Sequence, residues 1–285
     1  MIRAFTFTVL CCVSICMIGC KGPEQSQPKQ EQVKIGDISP PHGNRQSAVT
    51  SLNTIDFDVH IFEVPAENAD KISDLWELLY TEPLQFNNKQ TFTANSFIVR
   101  FGRIRMWNRI NDLLRSAGGQ KIVTVSLILP NGQANDLIVR ELNIKQYVSY
   151  VAANGRSEGA SVGPGILALR IKAEKIPNLR DVCELTACPV FTVPTRSSIP
   201  QLFARAKARE FSFPSVAFGL RMAPGDFIVL GPDKYNPPEA GRITLDGLLF
   251  SKPEGSLFPI TDKLIKPELK PAIRIFLLVC AGMSN

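Results

Sequence analysis

The sequence predicts an α+β protein: a small N-terminal α+β module, then a β-rich module built as a sandwich or a curled sheet. Three observations carry that expectation. Apolar and polar residues alternate over several short runs, which is the period of a half-buried strand. Two stretches with helical spacing lie between such runs in the first half. Beyond residue 154 the apolar runs are short and separated by Pro and Gly, as in a turn-rich sheet protein. The chain has 285 residues, 45% of them hydrophobic and 20% charged, enough for a core of ordinary size and too apolar for a disordered polymer.

Residues 1–19 carry one charge, Arg3, ahead of an unbroken stretch of apolar and small residues, the pattern of an export signal. It ends in Met17-Ile18-Gly19-Cys20, which resembles the bacterial lipobox, with Met17 in place of the usual leucine. The resemblance implies cleavage before Cys20 and a lipoprotein held at a membrane by acyl chains such as palmitate on that cysteine. Lys21 follows where an Asp would signal inner-membrane retention, so the outer membrane is expected over the inner one, in the envelope around the periplasm, with the face left open. Residues 20–51 contain almost no bulky apolar side chains and cannot offset the entropy of ordering; they read as a flexible tether. His42 lies there without a neighbour at ligand spacing.

The α+β module spans residues 52–153. Ile55, Phe57, Val59 and Ile61 alternate with Asp56, Asp58 and His60, giving a strand with His60 on its wetter face. Asn68 is the expected cap of a helix to Tyr80 with Ile72, Leu75, Trp76 and Leu79 on one stripe. Residues 95–101 form a second strand. A helix over 104–117 follows, with Ile110, Leu113, Leu114 and Ala117 inward and Gly118-Gly119 as its stop. Residues 121–129 and 137–142 are predicted to pair as a hairpin about Pro130-Asn131-Gly132-Gln133. The β-rich module spans 154–285. Its first twelve residues read as a loop or linker, and strands are expected at 166–173, 211–220, 226–230, 243–250 and 272–279, with a short helix over 200–210.

Little of this points to chemistry. Only two histidines are present, so a His-rich metal centre is excluded, and no Gly-x-Ser-x-Gly or phosphate-loop spacing occurs. Asp56, Asp58 and His60 share a strand face and could surround an imidazole or hold a cation weakly; a solvated strand face explains the same pattern. Cys183 and Cys188 have four residues between them in Cys183-Glu-Leu-Thr-Ala-Cys188, a spacing that suits a local disulfide across a tight turn, with two buried thiols, or metal binding together with Cys280, as the alternatives. Cys280 ends an apolar run and reads as a core residue. Basic residues cluster at Arg100, Arg103, Arg105, Arg109 and Arg115, at Arg205, Lys207 and Arg209, and at Lys263, Lys266, Lys270 and Arg274. The formal charge is +6, yet in an exported chain those cations would meet lipid headgroups or wall polymers, not nucleic acid; an ordinary charged surface, offset by Asp74, Glu77, Asp112, Glu210, Asp262 and Glu268, explains the same clusters.

Two family resemblances involve the folded part. Residues 226–231, 247–250 and 273–279 are similar in order and composition to the closing part of the secretin core, with Pro232 standing where a second glycine is usual. That resemblance implies homo-oligomerisation, or docking to a secretion or pilus apparatus. Trp76 in a helix, followed by Asn95, Phe97, Val99 and Gly102, resembles uncharacterised lipoproteins of planctomycete type, a family without an assigned activity.

The expected function is therefore that of a non-catalytic, lipid-anchored envelope protein that binds or scaffolds another envelope component. No cofactor, metal or catalytic residue is predicted, and the expected partners are the membrane through Cys20 and an envelope protein or further copies of the chain. The alternatives are a hydrolase of wall or surface polymer working through paired carboxylates, and a self-assembling structural protein of the envelope.

Overall fold

A computed structural model of the protein describes residues 53–194, 199–235, 243–258 and 268–284. The export signal, the lipobox with Cys20, and the tether lie outside the described residues. The described part belongs to one compact unit, Thr50–Asn285.

In chain order the elements are β1 (Thr54–Pro65), α1 (Ser73–Leu78), β2 (Gln85–Phe86), α2 (Lys89–Ala94), β3 (Phe97–Arg103), α3 (Trp107–Ser116), β4 (Gln120–Pro130) and β5 (Ala134–Leu142). There follow β6 (Gln146–Val151), β7 (Ser157–Val162), β8 (Gly165–Lys175), β9 (Cys183–Thr192), α4 (Pro200–Lys207), β10 (Phe211–Ser212) and β11 (Phe218–Met222). The last are β12 (Asp226–Pro232), β13 (Ile243–Thr244), α5 (Leu245–Phe250), β14 (Ser251–Phe258) and β15 (Glu268–Ser284).

The described strands make three sheets. The first runs β3-β12-β15-β1-β4 with β14 also on β15; the second runs β2-β11-β9-β8-β5 with β10 also on β9; the third, small one is β13-β6-β7. The first two pack face to face. Ile55, Phe57, Val59, Phe97, Val99, Ile228, Phe276 and Leu278 from one meet Leu137, Leu167, Leu169, Ile171, Leu185, Ala187, Phe218 and Leu220 from the other. The outer face of the first sheet is buried too. Its Phe62, Val64, Ile98, Phe227, Val229, Ile275 and Leu277 pack under Leu75 and Trp76 of α1 and Ile110 and Leu114 of α3. The section is thus helices, sheet, sheet.

This corrects the predicted fold class. The protein is mostly β, and no small α+β module precedes a β-rich one. The reason lies in long-range pairing: β15, at the end of the described chain, runs antiparallel to β1 from Thr54 opposite Ser284 to Pro65 opposite Ala272. Strands from both halves interleave in both large sheets, and local periodicity carries no signal for a partner more than 200 residues away.

Individual elements behave more faithfully. The alternation in β1, the inward faces of α1 and α3, and the short helix α4 lie where the periodicity placed them. The first helix is a 3-10 turn at Ala66–Ile72 before α1, and Asn68 does not cap it: its amide donates to the Ala117 carbonyl at 3.0 Å, tying that turn to the end of α3. The expected hairpin is an arch. The turn at Gly132 forms, with Gln133 N–H on the Pro130 carbonyl at 2.9 Å, yet β4 joins β1 in one sheet and β5 joins β8 in the other. Twelve residues read as a loop contain β7, whose Ala160 and Val162 are buried against β6. The expected strand over 243–250 is mostly helix: the Thr244 hydroxyl caps α5 at the Gly247 N–H, and Leu248, Leu249 and Phe250 turn inward. The run 211–220 is broken at Pro214 by a 3-10 turn, Pro214–Val216.

The residues quoted for the second family likeness have structural duties. The Asn95 side chain accepts from Val151 N–H and donates to the Val151 carbonyl, both at 2.8 Å, so it pairs with β6 as a strand residue would. Gly102 lies under Phe227 and Leu79, with an added Cβ falling 2.4 Å from the ring.

Candidate functional site

The predicted site residues scatter. Cys183 and Cys188 lie on one continuous strand, β9, not in a turn. Four strand residues lie between them, so they stand about 17 Å apart, and their parity puts them on opposite faces. Cys183 points into the sandwich, while Cys188 lies opposite Arg170 on the other face. Both are free thiols, as is Cys280. Burial pushes the Cys188 thiol up to about 11.

Asp56, Asp58 and His60 alternate with the buried residues of β1; Asp58 and His60 bond to a neighbouring strand, while Asp56 Oδ1 is buried without a hydrogen-bond partner among the described residues. Asp58 accepts from the Ser126 hydroxyl at 2.6 Å, and His60 Nδ1 pairs with the Thr124 hydroxyl at 2.9 Å. These are direct cross-strand partners on β4. The His60 ring also packs on Trp107, with centroids 5.1 Å apart. Burial and the nearby Lys121 ammonium lower its pKa, against a smaller opposing pull from Asp58. No group of three or more His, Cys, Asp or Glu among the described residues is arranged to hold a metal ion.

The basic residues divide. Arg274 is drawn inward: its Nε donates at 2.9 Å to Glu63, a carboxylate only 2% exposed that also meets Lys252 at 3.3 Å and the Ser256 hydroxyl. Lys270 pairs with Glu67 at 2.7 Å. Arg103 and Arg105 go elsewhere, to the rim of a cleft of about 540 Å³.

That cleft is the strongest candidate site. β3 delivers Arg103 at its end, and the tight turn Ile104–Met106 presents Arg105. On the opposite lip, β11 alternates buried Leu220, exposed Arg221 and buried Met222, so strand parity turns the guanidinium outward. Phe101, Pro83, Val182 and Met222 form its apolar wall, with Tyr80 and the carboxylates Glu82 and Asp226 beside them. Tyr80 is held by a two-way backbone bridge to Phe101, at 2.9 and 2.8 Å, and its hydroxyl accepts from Arg105 at 3.4 Å. Asp226 is partly committed, because one carboxylate oxygen accepts from Ala223 N–H at 2.9 Å across the turn at Gly225. Among the described residues, none of Arg103, Arg105 and Arg221 is in ion-pair contact with a carboxylate.

The cleft opens beside β11, a strand with a short pairing on one side. β2 pairs with β11 only at Phe218 and Gly219, so among the described strands none continues along that edge beside Leu220–Met222. Three guanidiniums, an apolar wall and a free strand edge can therefore take an extended, acidic chain: charge-assisted hydrogen bonds to carboxylates, and main-chain pairing at the edge. Arg103 and Arg105 belong to a basic run visible in the sequence. Arg221 was missed; it has no basic neighbour in the chain, and only the folding of β11 beside the β3 end brings it in.

No family model matches the chain, and no curated protein matches it. Among solved structures, a type II secretin from enteropathogenic Escherichia coli is similar over 82% of this chain and 69% of its own, at 10% identity and a TM-score of 0.24. That score is too low to carry a fold or a function across. The segments that resemble the secretin core fall on β12, α5 and β15, so the middle one is a helix here.

Proposed function

We propose that the protein is a non-catalytic, lipid-anchored protein of the cell envelope that binds a partner protein through the Arg103–Arg105–Arg221 cleft, recognising an extended acidic segment. The observation that carries this reading is the set of three rim arginines without a carboxylate in ion-pair contact above an apolar wall. Three arginines against Glu82 and Asp226 leave the lining net positive, which an acidic peptide complements, and its apolar side chains fit Phe101 and Met222. Anchoring through Cys20 would raise the local concentration of the site, so a modest intrinsic affinity suffices.

The test is a selection from a random peptide library on the wild-type protein, with counter-selection on Arg103→Gln/Arg105→Gln/Arg221→Gln. Enrichment of Asp- and Glu-rich sequences with interspersed apolar residues supports the reading. A pool without acidic enrichment, or one that binds the triple variant equally, rejects it. The anchor has its own test: Cys20→Ser is expected to abolish incorporation of labelled fatty acid.

One observation favours a second reading. Glu82 and Asp226 line the same cleft, so a carboxylate-dependent hydrolase of wall or surface polymer has candidate residues. Polymer cleavage by the wild type that disappears in both Glu82→Gln and Asp226→Asn would establish it in place of the first.

A further inference from the structure

Cys183 and Cys280 stand 97 positions apart in sequence and belong to different sheets, β9 in one and β15 in the other. Both are 0% exposed and both belong to the core between the sheets. Facing sheets ordinarily lie about 10 Å apart, too far for a disulfide, whose Cα atoms are about 4.4–6.8 Å apart. At this corner the backbone pulls them together. Met222 on β11 sits directly opposite Cys183, and three residues later the Gly225 N–H donates to the Cys280 carbonyl at 2.8 Å. Only Ala223 and Pro224 separate the residue beside one cysteine from the residue bonded to the other. Gly225 makes so short a crossing possible with a φ of +87°. Each thiol is the largest influence on the other's pKa, as expected of side chains that adjoin within one core.

We propose that Cys183 and Cys280 are a redox pair that closes into a disulfide joining the two large sheets. Their mutual influence makes the members unequal. It holds the Cys183 thiol below the ordinary thiol range and pushes Cys280 above it, with burial adding to the rise at Cys280. Exchange can open from Cys183, and the reverse order balances identically. With a small disulfide such as oxidised glutathione as oxidant, the Cys183 sulfur bonds to one glutathione sulfur and releases the other as a thiol. Cys280 then loses its proton and displaces the second glutathione from Cys183. One disulfide is consumed, one is formed, and two thiols leave. Because both sulfurs are buried, the reaction belongs to folding or to transient opening of the corner. Cys188 takes no part, since it faces the other way along β9. The inference is independent of what the cleft binds, although Val182, Met222 and Asp226 of the cleft wall adjoin the pair.

The test is a peptide map of the full-length protein refolded from urea with oxidised glutathione and then alkylated. Trypsin cuts after Arg180 and Arg274, and a glutamate-specific protease cuts after Glu184, which separates Cys183 from Cys188. The expected product is residues 181–184 linked to residues 275–285, lost on reduction and retained in Cys188→Ser. The urea midpoint of the oxidised wild type should exceed that of the reduced protein, and Cys280→Ser should show no such difference. Recovery of Cys183 and Cys280 as separately alkylated or glutathionylated peptides overturns the proposal, as does a Cys183–Cys188 link. The wild-type map decides this even if Cys280→Ser does not fold.

Discussion

Replacing Glu63 by Gln probes the only carboxylate that the described strands bury almost completely. Glu63 is 2% exposed and faces Arg274 directly across β1 and β15, with Lys252 and Ser256 beside it. The side chains of Arg274 and Lys252 are 19% and 25% exposed, so water relieves only part of the repulsion once the negative charge goes. Removing one member of a buried pair costs about 3–5 kcal/mol, and the lower end, ~3 kcal/mol, suits cations exposed to that degree. In urea, with a slope of about 1–3 kcal/mol per molar, the midpoint should fall by about 1–3 M with the slope unchanged. Because the hydrogen bond from Ser256 and the charges of Arg274 and Lys252 outweigh desolvation, Glu63 titrates below its usual value. Its contribution is therefore complete above pH 4.5 and is lost as pH falls through the depressed value, so the gap between wild type and Glu63→Gln should close in acid. Glu63→Met/Arg274→Met should recover part of the loss of Glu63→Met, since the orphaned cation is removed with it. A Glu63→Gln midpoint equal to the wild type at pH 7, or a gap that widens in acid, would refute this reasoning.

Other outcomes follow from single contacts. His60 has a lowered pKa in the folded state, so protonation favours unfolding: the stability it contributes is present above pH 6.5 and declines as pH falls through its folded value. His60→Asn should accordingly flatten the urea midpoint against pH across that window, and an unchanged profile would contradict the assignment. Gly102→Ala drives a methyl to 2.4 Å from Phe227 and 2.8 Å from Leu79, and should cost about 1–3 kcal/mol in urea unfolding. Asn95→Ala leaves the Val151 N–H and carbonyl without their side-chain partner and should cost about 1–3 kcal/mol, with faster amide exchange at Val151.

How far these features could be read from sequence depends on the range of the contact involved. The alternation in residues 55–61 and the stripes of α1 and α3 are local, and they survive because a buried face imposes its period wherever it lies. Pairing partners are not local. Nothing near residue 130 says that β4 and β5 part into different sheets, because the same alternation serves a hairpin or an arch. The disulfide expected between Cys183 and Cys188 came from proximity in sequence, whereas β9 turns them to opposite faces and sets Cys183 against Cys280. The cleft was half legible: Arg103 and Arg105 form a visible basic run, but Arg221 joins them through sheet topology alone. Arg274, which looked like part of a surface cluster, is the partner of a buried carboxylate that no local pattern marks.

The binding role of the cleft is tested most directly by fluorescence anisotropy of a labelled peptide rich in Asp and Phe. It would be titrated with the wild type and with Arg103→Gln/Arg105→Gln/Arg221→Gln, at low and high salt. Saturable binding is expected to weaken at least about tenfold in the triple variant, ~1.4 kcal/mol, and to weaken with added salt as a screened charge contact should. Equal binding by the two proteins, or affinity unmoved by salt, would contradict a site built on those three arginines.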